Sequence, residues 1–422
     1  MFQFFKGSWA LMLGMLLLMV GNGMQGTLLG IRGEIEGFST FELSFVMSAY
    51  FLGFLGGSRL APEMIRRVGH VRVFAALASF ISAVLILYPT LAEPWAWVLG
   101  RVMIGFCFSG VYVAAESWLN NAATNETRGK ALSLYMIVQM LGIVIAQGLL
   151  IVADPSGYVL FVIPSVLVSI SFAPILLSIS PTPAFETTKP MSLQNLYANS
   201  PLGVVGMILL GSIFSAQFGM SAVFAVKIGL SVRELTIFVA TFYIGATLFQ
   251  YPLGWMSDRM DRRVLILFVA LAGSGGALFG WLFSSSFGML LIAAALVGAT
   301  SNPLYSLLIA HTNDFLDTED MAAASGGLVF VNGLGAIAGP VVTGWIMETM
   351  GPSGFFAFLA VLLFALGGYA AYRTTRRAAP SVEDTAIYAP VMPSATLVAV
   401  EVAQEVAIET LLEEDEAQQP LM

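Results

Sequence analysis

Residues 51–72 read FLGFLGGSRLAPEMIRRVGHVR, and residues 243–264 read YIGATLFQYPLGWMSDRMDRRV. Gly53 aligns with Gly245, Pro62 with Gly254 and Arg67 with Arg259, each pair 192 positions apart, and Gln25 aligns with Gln217 at the same offset. Both stretches sit between long apolar runs. A repeat that covers half of an apolar chain describes two pseudo-symmetric halves, each a set of membrane-crossing helices.

Composition agrees. Apolar residues make up 58% of the 422 residues and charged residues 10%, against about 25% charged in soluble chains. A helix needs about 20 apolar residues to cross the hydrocarbon. Twelve such spans are read at 8–29, 41–61, 72–90, 95–118, 131–152, 158–179, 202–225, 234–256, 264–284, 287–310, 323–347 and 354–373. The runs are long and do not alternate, and a helix pairs its own backbone groups without water. The expected fold is an all-α membrane protein with twelve transmembrane helices in two pseudo-symmetric six-helix bundles. Residues 1–180 form the N-terminal bundle, 181–200 a polar cytoplasmic linker, 201–373 the C-terminal bundle and 374–422 an acidic, disordered cytoplasmic tail, within which 396–412 has helical spacing. The first span is too long for a signal-peptide core and has no small-residue cleavage site behind it.

Charge placement orients the chain. Lys6, Lys189, the Arg59–Arg72 loop, Arg128, Lys130, the Arg259–Arg263 loop and Arg373–Arg377 share one side. The other side holds Arg32, Lys227 and Arg233, and Arg101 lies inside a span. The basic side is expected to be cytoplasmic, with both termini there. The net charge of −8 belongs to the tail, because no Lys or Arg follows Ser381. One cysteine and two histidines leave no disulfide and no multi-cysteine metal site. His70, in the basic loop, reads as a surface residue, and His311 as an interface residue. The chain has no phosphate-binding Gly-x-x-x-x-Gly-Lys-Ser/Thr loop and no His-Glu-x-x-His. It is therefore read as no enzyme, and any work it does must draw on an ion or solute gradient.

The loop Gly254–Arg263, GWMSDRMDRR, either sets topology alone or forms a breakable charge cluster. It resembles the loop signature of the major facilitator superfamily, Gly-x-x-x-Asp-Arg-x-Gly-Arg-Arg, with Asp261 at the inner glycine. Arg101–Gly105, RVMIG, resembles a second signature of that superfamily, Arg-x-x-x-Gly. Gly335–Gly344, GAIAGPVVTG, resembles the Gly-Pro signature of antiporters, here on span eleven rather than span five. Glu116–Asn120 (ESWLN), Asn302–Ser306 (NPLYS) and Gly37–Phe41 (GFSTF) are similar to the YcaD-like bacterial branch. The resemblance covers residues 8–373 and implies a transporter without naming a substrate. It further implies a gating cluster of Asp258, Arg259 and Asp314 in the second half. The first half has Arg66, Arg67 and Asn121 at those places, and Glu116 is expected to compensate by pairing with Arg67 or Arg128.

Span four carries Arg101, Tyr112 and Glu116 within roughly 60° of one another. Arg101 and Glu116 are about 22 Å apart along a helix and cannot pair directly. A charge facing lipid costs roughly 2.5–3.5 kcal/mol, so this stripe is expected to face the interior. There Arg101 is either a substrate contact or a strut, and Glu116 either a coupling or gating group or a strut. Gln25 with Gln217, Tyr112 with Tyr305, and Gln139 with Asn332 are repeat-related polar pairs. Together with Asn302 they either line a central substrate cavity or bond helix to helix.

The expectation is a secondary transporter of the bacterial inner membrane that alternates access, is coupled to protons and exports a small organic or amphipathic molecule. Proton-coupled uptake of an organic acid, with Arg101 as anion contact, is the alternative. A non-transporting scaffold or sensor acting through the acidic tail is a third reading. The expected partners are a small-molecule substrate, protons and the lipid bilayer, with no nucleic acid and no cofactor, and the chain is read as a monomer.

Overall fold

Each half of the chain opens its second helix in the same way, and the local chemistry shows why. Gly37 and Gly229, 192 positions apart, take left-handed backbone angles of φ 81° and 80° and end the preceding helices. Two residues later Ser39 and Ser231 cap the next helix, accepting from the backbone N–H of Glu42 and Glu234, whose carboxylates reach back to the serine N–H. These reciprocal capping boxes fix two helix starts that no tertiary contact needs to impose.

The computed structural model describes residues 2–123, 125–177, 191–376, 385 and 388–418. The first half contains α1 (Phe2–Ile35), α2 (Thr40–Val68), α3 (His70–Leu87), α4 (Pro94–Ala122) and α5 (Asn125–Leu149), and then α6 (Val159–Ser171) continued by α7 (Ala173–Leu177). After the short α8 (Leu193–Asn199) come α9 (Pro201–Lys227), α10 (Val232–Ser257), α11 (Arg262–Leu282), α12 (Phe287–Asn313), α13 (Thr318–Met350) and α14 (Gly354–Thr374). Twelve helical segments are long and apolar enough to cross a bilayer, from Trp9–Ile35 to Gly354–Thr374. The sixth expected span is broken between Ser171 and Ala173, beside Pro174. The expected linker residues 181–190, the Asn121 side chain and residues 377–384 lie outside the described set.

Helices in hydrocarbon gain little from burying apolar surface against each other, so close backbone contact through small residues decides where they cross. α2 packs along α4, and α10 along α12. A Cβ on Gly53 would strike the Val102 carbonyl, and one on Gly105 the Tyr50 carbonyl. Their counterparts behave alike: Gly245 lies on the Ala295 carbonyl and Gly298 on the Phe242 carbonyl. The remaining packing repeats too, with α1 along α5 and α6, α9 along α13 and α14, and α3 and α11 closing the outer sides.

The bundles meet along α1 with α9 and α2 with α13. At the end away from the basic loops, Lys227 Nζ lies 2.9 Å from Glu34 Oε2 and ties α9 to α1. Ser48 Oγ donates to the Ile337 carbonyl at 2.5 Å across the α2–α13 contact. Toward the end bearing Arg59–Arg72, called here the basic face, α5 and α10 part and leave a lateral groove of about 820 Å³.

The C-terminal segment fills that end. Residues 388–396 cross the opening and lead into α15 (Leu397–Gln418), with Tyr388, Val391, Val398, Val400 and Val402 buried. Over residues 388–418 this differs from the expectation of a disordered, solvated tail. Reading the tail by its net charge overlooked the alternate valines that match an apolar crevice.

The glycine crossings generate a sharp expectation. Gly105→Val and Gly298→Val should each cost about 1–3 kcal/mol or more through overpacking, seen as a lower unfolding temperature in detergent. Gly275→Val, on an open helix surface, should leave that temperature nearly unchanged.

Candidate functional site

Arg101 lies two turns into α4 and is 2% exposed. A guanidinium at that depth must be partnered by the protein. Its Nη1 donates to Gln25 Oε1 at 2.6 Å and its Nε to the Val46 carbonyl at 3.3 Å. Its plane sits 4.7 Å from the centre of the Tyr50 ring. Gln25 Nε2 donates in turn to Asn22 Oδ1 at 3.1 Å, and Asn22 Nδ2 to the Tyr112 hydroxyl at 2.7 Å. One buried charge is thus handed through two neutral amides to a phenol, and α1, α2 and α4 are held in a single rotational setting.

Tyr112 and Asn22 open onto a central cavity between the bundles, with Tyr50, Gln139 and Asn332. Phe51, Phe54, Phe214 and Phe218 supply the aromatic part of the remaining wall. In this state the cavity holds about 50 Å³, far below the roughly 300 Å³ at which small-molecule pockets begin. Pro393, Ser394 and Ala395 of the C-terminal segment form part of its wall.

The expected pairs reach this cavity unequally. Gln139 and Asn332 both line it, and Tyr112 does so without Tyr305. Gln25 stands behind Asn22. Gln217 accepts from Ser301 Oγ at 3.1 Å, while its Nε2 and the Tyr305 hydroxyl are buried without a hydrogen-bond partner. Asn302 turns to the lateral groove instead. Most of the polar wall comes from the first bundle, the second adding Asn332 and the rings of Phe214 and Phe218, so repeat symmetry carries to the lining only at Gln139 and Asn332.

Glu116 is 3% exposed. Its Oε1 accepts from the Tyr135 hydroxyl at 3.1 Å, and its Oε2 from Thr396 Oγ1 of the C-terminal segment. The expected pairing with Arg67 or Arg128 is not made in this state. Arg66 and Arg67 both pair with Glu63, one turn back on the exposed end of α2, as i,i+3 and i,i+4 neighbours do. Arg128 meets Glu405 at 3.2 Å and Glu409 at 2.9 Å.

The charge cluster of the second half also differs in one member. Asp258 and Asp314 are bridged by Arg262, not by Arg259. Arg262 Nη2 lies 3.2 Å from Asp258 Oδ1, Nη1 bonds Asp314 Oδ1, and Nε donates to Ser257 Oγ at 2.9 Å. Its side chain is 1% exposed. Arg259 sits on the exposed turn, stacked 4.4 Å over Trp255. The chain changes direction between Ser257 and Arg262, which turns Arg259 out and Arg262 in. Asp261, at the inner glycine position of the signature, caps α11 through the Arg263 backbone N–H at 2.9 Å. Partial burial alone would raise its carboxyl, but the hydrogen bonds and charge of Arg263 hold it below the usual range. The inward position repeats: 192 positions before Arg262 stands His70, which is buried rather than superficial, its Nε2 2.8 Å from Ser117 Oγ.

Removing Arg262 leaves two carboxylates facing each other, and breaking a buried pair costs about 3–5 kcal/mol. Arg262→Ala should therefore lower the unfolding midpoint steeply, while Arg259→Ala, on the surface, should cost below about 0.5 kcal/mol. Equal effects in denaturant titrations would return the ion-pair role to Arg259.

Comparison with known proteins agrees with this geometry. The model of the Major Facilitator Superfamily matches residues 11–231 and again 202–402. The chain is 26% identical over 362 residues to the uncharacterized MFS-type transporter YfkF of Bacillus subtilis, covering 82% of this chain and 91% of that one. It is 26% identical over 362 residues to YcaD of Escherichia coli, covering 84% and 92%. Among solved structures, a point mutant of the nucleoside transporter NupG superposes with a TM-score of 0.75 at 14% identity, over 86% of this chain and 99% of that one. A bacterial homologue of the human lysosomal transporter Spinster gives 0.67 at 14% identity, over 96% and 98%. The structural likenesses are likenesses of fold; the family model spans both halves, and the chain belongs to the Major Facilitator Superfamily, a multi-pass membrane transporter similar within it to YcaD and YfkF.

Proposed function

We propose that this transporter is proton-coupled and carries a small, largely apolar or aromatic organic molecule out of the cell by rocking its two bundles about the central cavity. The observation that carries the reading is the cavity wall. It combines phenylalanine and tyrosine rings with the neutral amides of Asn22, Gln139 and Asn332, and holds no charged side chain. Such a wall suits a solute with a ring or hydrocarbon body and one or two hydrogen-bonding groups. Arg101, the anion contact of the uptake reading, is spent on Gln25, Val46 and Tyr50, which speaks against an organic acid. A sensor acting through its tail would extend that tail into solution, whereas here the tail folds back on the bundles.

Glu116 supports proton coupling. Among the described residues it is the only acidic side chain buried inside a span, and its bonded partners are the hydroxyls of Tyr135 and Thr396. Two small cavities touch Glu116, and one of them is also lined by Gln139, which leads back to the central cavity. The lateral groove between α5 and α10 would give a membrane-dissolved solute access from the leaflet on the basic face, in keeping with export. The concentration of arginine on that face supports placing it in the cytoplasm.

The test is flux in proteoliposomes, using hits from a thermal-shift screen of neutral aromatic and amphipathic compounds. An inward-acid pH jump should drive wild-type flux, and Glu116→Gln should reduce that driven flux about tenfold or more, the scale of a lost proton-transfer group, while leaving the thermal shift in place. Driven flux that survives Glu116→Gln would remove Glu116 from coupling, and flux indifferent to the gradient would remove proton coupling altogether.

A further inference from the structure

The central cavity is smaller than a small-molecule pocket in this state, and part of its wall comes from outside the twelve helices. Tyr388 to Ala395 and α15 occupy the crevice between the bundles at the basic face, touching both. On the side of the second bundle, the Tyr388 backbone N–H donates to Asp258 Oδ1 at 2.9 Å, and Gln250 Nε2 donates to the Tyr388 hydroxyl at 2.9 Å. Burial pushes that phenol above its ordinary value. Ser306 Oγ accepts from the Val391 N–H at 2.9 Å and donates to the Val391 carbonyl at 3.0 Å, a paired contact of the kind strands make. Gln404 bonds Ser325 and lies 3.4 Å from Asn313. On the side of the first bundle, Thr396 bonds Glu116, and Glu405 and Glu409 hold Arg128. The fit is close: a Cβ on Gly254 would come within 2.7 Å of the Tyr388 ring, and one on Gly129 within 3.0 Å of Val406.

We propose that the crevice at the basic face is a binding site for the chain's own C-terminal segment, which acts as a removable plug. It competes with substrate for the cavity and must withdraw before the bundles can exchange conformations. Three features set this apart from ordinary packing. The plug bonds both bundles, so it clamps the parts that alternating access requires to move. It takes Glu116 and Asp258, two of the groups read as coupling or gating residues, so transport and plugging draw on the same side chains. Its acidic helix has no basic residue and meets Arg128, so part of its hold is electrostatic and yields to salt. The proposal rests on the alternating-access reading only for its effect on flux, and its own test needs no substrate.

That test reads access to the cavity in the full-length protein. The single natural cysteine is removed by Cys107→Ser, and Ser58→Cys places a thiol on the cavity wall. In nanodiscs this thiol should react slowly with N-ethylmaleimide. Arg128→Glu, which repels Glu405 and Glu409, should speed labelling about tenfold, equivalent to 1.4 kcal/mol of plug release. Adding Glu405→Arg and Glu409→Arg should restore the slow rate, which a merely damaged fold would not do. Gly254→Val, which displaces Tyr388 from the opposite bundle, should speed labelling independently. Labelling rates that do not change in Arg128→Glu and Gly254→Val, or a charge swap that fails to restore protection, overturn the plug. Failure of proton-driven flux with these labelling results intact would instead strike the transport reading alone.

Discussion

Arg101 is the constraint around which the first bundle is arranged. Inside twelve apolar helices a guanidinium has no water to turn to, and each of its contacts must come from a neighbouring helix. The contacts to Gln25, Val46 and Tyr50 fix the faces that α1 and α2 present to α4. Asn22 and Tyr112 complete the series and become the polar wall of the cavity. The second bundle has Ala294 where Arg101 would recur, and its helices are held instead by glycine contacts and by the Arg262 ion pairs at the basic face. One half is therefore pinned at its centre and the other at its end.

The two halves therefore place their strongest polar contacts differently, one beside the central cavity and the other at the basic face. Arg262 bridges α10, α11 and α12 through Asp258 and Asp314. In the first half the matching loop spends Arg66 and Arg67 on Glu63 at the surface, and the inward position belongs to His70. The buried Glu116 is free of any such bridge and meets the tail.

Much of the frame was legible in the sequence because backbone requirements repeat. The offset of 192 placed Gly53 with Gly245, and both proved to be helix crossings. Gln139 and Asn332, one position further out of register, both reached the cavity. What the offset could not tell was which face of a helix looks inward, so Gln217, Tyr305 and Asn302 were placed in the cavity by analogy and lie elsewhere. Arg262 was not readable, because the loop signature points to Arg259 and the residue at the repeat position, His70, reads as a surface residue in a basic loop. The docking of the tail was not readable. The segment has no copy in the repeat; its partners Ser306, Gln250 and Ser325 are neutral residues with no pattern to mark them, and its charged partners Asp258, Glu116 and Arg128 read as members of gating pairs within the bundles.

The position of the plug in the chain has a consequence for biogenesis. Residues 388–418 follow both bundles in the chain, and the crevice that receives them exists only once both bundles have been inserted and brought together. Seating of α15, which touches both bundles, therefore reports that the two have come together.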